Sequence, residues 1–85
     1  MRSYTITNYD NSPAAGFTDF VGLSLTQNFG VQADDFPSLI PFVGPAIRSS
    51  SDSDQYVNAV LAHTGWNEPD IVEHDNEFIT MIYND

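Results

Sequence analysis

The chain opens with apolar and polar positions in alternation, Tyr4 and Ile6 against Thr5 and Thr7. A period of two in a run rich in aromatic and β-branched residues predicts a half-buried strand over residues 4–9. Asp10-Asn11-Ser12-Pro13 then stops it. Between residues 17 and 30 two periods compete. Phe17, Phe20, Val21 and Leu25 fall at helical spacing, whereas Val21, Leu23 and Leu25 alternate with Gly22, Ser24 and Thr26 as a strand would. The ends favour a helix. Thr18 can cap its N-terminus with Asp19 in the first turn, and Gly30 followed by apolar Val31 reads as a C-terminal cap.

Asp34-Asp35-Phe36-Pro37 predicts a second helix start, with carboxylates where the helix dipole favours them and proline in the first turn. Pro41 keeps that helix short. The stretch through Gly44-Pro45 to Ser49-Ser50-Ser51 reads as an irregular loop, whose Leu39, Ile40, Phe42, Val43 and Ile47 need burial somewhere. The clearest helix covers residues 54–64. Tyr56, Val57, Val60 and Leu61 form its apolar stripe, with Ala59 and Ala62 alongside, Ser53 or Asp52 as the N-cap, and Gly65 just past its last turn. Finally, Ile71-Val72-Glu73 and residues 78–83 flank Asp75-Asn76. That pattern predicts a hairpin whose second strand is apolar on both faces and is therefore central, with the first strand beside it. Together the elements predict an α+β fold, a small three-stranded antiparallel sheet with two to three helices packed on one face.

The length of 85 residues allows a single domain, residues 1–85, which buries only about 60–65% of the surface its unfolded chain exposes. With 41% apolar residues it is expected to fold. The absence of cysteine rules out disulfides, thiolate nucleophiles and Cys-based metal sites. No apolar leader precedes Tyr4, and the greasiest run, residues 40–47, is short and twice broken by proline, so a soluble cytoplasmic protein is expected.

Charge changes the picture most. Twelve carboxylates face two arginines and no lysine, for a formal net charge of -10. Direct binding to nucleic acid or to an anionic membrane needs a basic patch, which Arg2 and Arg48 cannot supply. Catalytic patterns are also lacking. Asp52-Ser53-Asp54 does not continue as a calcium loop, because Val57 stands at its sixth position and His63 at its twelfth. His63 and His74 lie in different predicted elements with no third strong ligand, so no metal site is expected. No Gly-x-Ser-x-Gly and no phosphate-cradling glycine pattern occurs. The expectation is a protein that is not an enzyme and carries no cofactor.

What remains is the acidic surface. Glu73, Asp75 and Glu77 stand at i, i+2 and i+4, so in extended backbone they project to one side about 6.5–7 Å apart, whereas a hairpin turn at Asp75-Asn76 would gather them into a cluster at its tip. Asp34, Asp35, Asp52 and Asp54 mark helix starts, and Asp70 and Asp85 could extend the same face. The candidate partner-binding groups are Asp34, Asp35, Asp52, Asp54, Glu73, Asp75 and Glu77, with Trp66 or Tyr56 as an apolar anchor, although Trp66, just past the helix-ending Gly65, is more readily read as closing the core. In size, charge and lack of a catalytic signature the chain resembles the small acidic phage-encoded inhibitors, anti-CRISPR and anti-restriction proteins, some of them DNA mimics. The resemblance is compositional and carries no functional position across. It implies a binding inhibitor in the host-cell cytoplasm that blocks the cationic nucleic-acid-binding surface of a host defence complex. The partner would be a basic nucleic-acid-binding protein or nucleoprotein complex.

Three other readings fit the sequence. An immunity protein against a basic nuclease would use charge in the same way. An assembly or adaptor module, including a homodimer, would instead bind through the apolar segment of residues 36–47, from Phe36 to Ile47. A halophile's ordinary domain would carry the same lysine-free surface.

Overall fold

The computed structural model describes residues 1–8, 20–31, 36–44, 53–75 and 78–84. Its elements are β1 (Arg2–Asn8), β2 (Phe20–Phe29), β3 (Leu39–Gly44), α1 (Ser53–Thr64), β4 (Ile71–Asp75) and β5 (Phe78–Tyr83). The five strands form one antiparallel sheet in the order β3-β2-β1-β5-β4. β1, β2 and β3 run as a meander. α1 then carries the chain from the β3 edge to the β4 edge, and the β4–β5 hairpin closes onto β1.

This corrects the expected fold of three strands with two to three helices. Five strands and one helix stand among the described residues. The segment expected as a helix over residues 17–30 is strand β2 from Phe20 onward, and packing explains why. On a helix, Leu23 would point to the side opposite Leu25, exposed to water; in the strand Leu23 and Leu25 share one face and both are buried. Residues 39–44, expected as short helix and loop, form β3. Ile40 packs inward, while Leu39 and Pro41 face away. Pro41 is admissible because β3 is an edge strand, where a missing N–H need not break the ladder. The helix start at Asp34-Asp35 lies outside the described residues.

The first strand, the 54–64 helix and the terminal hairpin occur where the pattern placed them. β5 lies inside the sheet between β1 and β4, with Ile79, Met81 and Tyr83 buried on one face. That face also presents Tyr4, Ile6, Leu23, Leu25 and Ile40, and it receives Tyr56, Val57 and Val60 from α1 to make the core. The helix ends at Gly65, whose N–H donates to the Leu61 carbonyl at 2.8 Å with φ at 78°.

Beyond Gly65, Trp66 closes one end of the core. Its ring lies 4.6 Å from Tyr4 and 6.4 Å, edge-on, from Tyr83, and Phe36 stacks on Tyr4 at 5.5 Å. The Arg2 guanidinium sits 4.4 Å from the Tyr83 ring centroid. The Tyr83 hydroxyl donates to the Asn67 carbonyl at 2.7 Å, which ties the loop before β4 to the sheet.

Candidate partner-binding surface

Register and alternation assign the second face of the sheet. Glu73 pairs with Thr80, Thr80 with Thr5, and Thr5 with Thr26, a row running from β4 across to β2. A parallel row runs from Ile71 through Ile82 and Ser3 to Phe29. The middle of this face is hydroxyl-rich, with Ser3, Thr5, Thr7, Ser24, Thr26 and Thr80. Its margins hold exposed apolar groups: Phe29 at 57%, Leu39 at 55%, Phe78 at 50% and Ile71 at 46%. α1 packs on the opposite face. No described helix covers this one.

β4 is exposed along its whole length. Among the described residues it pairs with β5 alone, so its other side is a free sheet edge. Glu73 and Asp75 project from it onto the open face, about 6.5–7 Å apart. Glu68 and Asp70 stand exposed in the lead-in loop. One Asp70 carboxylate oxygen accepts from the Asn84 N–H at 2.7 Å and the Asp70 N–H donates to the Ile82 carbonyl, which pins the start of β4 to the end of β5.

The other described residues chosen from the sequence do not join this edge. Asp54 is exposed in the first turn of α1, which approaches β3, the edge opposite β4. Four strand spacings, about 19 Å, separate those edges, so Asp54 does not join Glu73 and Asp75. Asp34, Asp35, Asp52 and Glu77 lie outside the described residues. Tyr56 has no exposed surface; its ring packs edge-on against Phe42 at 5.1 Å. It serves the core and has nothing to offer a partner. Trp66 is half-buried in its aromatic cluster. Within residues 36–47, among the described side chains Ile40 is buried, Phe36 and Phe42 pack on the core, and Leu39 and Pro41 face outward; residues 45–47, with Ile47, lie outside the described residues.

Sequence reasoning passed over the exposed pair Ile71 and Val72 and the edge that they lie on. The signal was present in the polar stretch Glu73-His74-Asp75 following them, since an edge strand is where polar side chains on both faces are tolerated. Among the described residues Arg2 is the sole arginine or lysine, and it is turned inward over Tyr83. No group of three or more potential metal-ligating side chains forms among the described residues, and no described helix is long and apolar enough to cross a membrane. The chain matches no family model, no curated protein and no solved structure.

Proposed function

We propose that the protein is a binding inhibitor that covers a cationic, nucleic-acid-binding surface of another protein, with its carboxylates standing in for phosphates. The observation that carries this reading is the β4 side of the sheet. Glu68, Asp70, Glu73 and Asp75 are all exposed there, while the one described arginine is engaged with tyrosine rings. With a net charge of -10, such a surface attracts Lys/Arg-lined grooves over long range and repels nucleic acid itself. A defence nucleoprotein of the kind blocked by anti-CRISPR or anti-restriction proteins is the partner class that the size and charge suit.

The test is capture of binding proteins on the immobilised chain at about 50 mM and about 500 mM salt, across which the Debye length falls from roughly 14 to 4 Å. The expected result is a nucleic-acid-binding protein held at low salt and released by high salt or by added duplex DNA. Retention that survives both would contradict the reading. It would favour an apolar docking surface instead, for which the exposed Phe29 and Leu39 on the open face are the specific support.

A further inference from the structure

We infer that the free edge of β4 accepts an extended, cationic segment of a partner as a sixth strand of the sheet. The inference rests on the reading above and specifies how the partner is held.

In an antiparallel ladder alternate residues of an edge strand turn both their N–H and C=O away from the neighbouring strand. β4 offers such groups over five residues, about 17 Å, enough for a short peptide strand. The edge is guarded by its carboxylates alone. It has no proline, no lysine and no pairing irregularity in its register with β5.

Charge selects the occupant. A second copy pairing antiparallel about Glu73 would set Glu73 directly opposite its own counterpart, between two chains that each carry -10. Self-pairing is therefore opposed by the same carboxylates that would hold a cation.

Register then specifies the segment. Residues opposite Glu73 and Asp75 lie on the open face beside those carboxylates and call for Lys or Arg. Residues opposite Ile71 and Val72 meet exposed apolar side chains and call for Val, Ile or Leu. The residue opposite His74 faces the helix side and tolerates a polar group. Read antiparallel to β4, the preferred segment is cationic, polar, cationic, apolar, apolar. This is a tail or loop of a basic protein, held by main-chain hydrogen bonds with charge giving register.

The test uses a synthetic peptide, Thr-Lys-Thr-Lys-Val-Val-Thr, titrated into the whole protein at about 50 mM salt. It is compared with a same-composition scramble and with two forms N-methylated on alternate residues. Main-chain pairing predicts that one methylated form binds about tenfold or more weakly than the parent while the other, methylated on outward-facing amides, is unaffected. The scramble should bind more weakly than the parent, and alternate β4 amides should become protected from hydrogen exchange on binding. If parent, scramble and both methylated forms bind alike and are released by salt, the edge-strand inference fails while the cationic-partner reading stands. If no peptide binds, or if the protein pairs with itself through β4, the inference fails outright; the capture experiment still judges the broader reading separately.

Discussion

Gly30 and Gly65 both adopt a positive φ, 102° and 78°, yet they sit in different surroundings. A Cβ on Gly30 would lie 2.7 Å from the Met1 carbonyl oxygen and 2.8 Å from Arg2 Cα, both backbone, whereas one on Gly65 would meet nothing within 4 Å. Gly65→Ala should therefore cost about 1 kcal/mol from backbone strain alone. Gly30→Ala adds an overlap that must displace β1 and should cost about 3 kcal/mol. Urea titrations of the two variants check the difference, and equal losses would contradict it. Trp66 tests its role in the same way. Since its ring packs within 4.6 Å of Tyr4, Trp66→Ala should lose about 2–3 kcal/mol of stability. A variant of unchanged stability with lost binding would make Trp66 an anchor instead.

At the scale of elements, strands differ in how many neighbours they have. β2, β1 and β5 are paired on both sides; β4 is paired on one. Amide hydrogen exchange should be slowest in β2, β1 and β5, while alternate amides of β4 exchange rapidly. Uniform protection along β4 would mean that its edge is covered. The sequence made some elements legible because a single force dominated each. α1 has one apolar stripe with Ser53 or Asp52 before it and Gly65 after it, and β1 has strict alternation. β2 was misread because local end signals pointed to a helix. Gly30 did mark an end at positive φ, but the end of a strand, since the burial of both Leu23 and Leu25 outweighs a cap. β3 was missed because Pro41 looks like a breaker until its strand is known to lie at an edge. Of the candidate site, the exposure of Glu73 and Asp75 could be read from their spacing. Tyr56 had two readings, a member of the apolar stripe of α1 or an anchor for a partner, and only the facing element, here Phe42 on β3, decides for the first.

For the whole molecule, charge opposes compaction. A chain with a Cα radius of gyration of 12.4 Å holds a net charge of -10, so self-repulsion destabilises the folded state and salt should relieve it. Raising salt from about 20 to about 500 mM should increase unfolding stability by roughly 1–2 kcal/mol, read as a higher urea midpoint. An unchanged midpoint would mean that the carboxylates are too far apart to interact. The same salt that stabilises the free protein should weaken its complex, an opposition that an apolar interface would not produce. The carboxylates of β4 and the apolar Phe29 and Leu39 at the other margin of the open face are thus separable by mutation. Glu73→Lys with Asp75→Lys removes the carboxylates from exposed positions and should leave the fold intact within about 0.5 kcal/mol. Phe29→Ser with Leu39→Ser removes apolar surface and keeps the charge. The most direct measurement is capture of the basic partner at low salt by these two double variants beside the unaltered chain. The account predicts that the lysine variant loses the partner while the serine variant retains it; retention by the lysine variant with loss by the serine variant would contradict it.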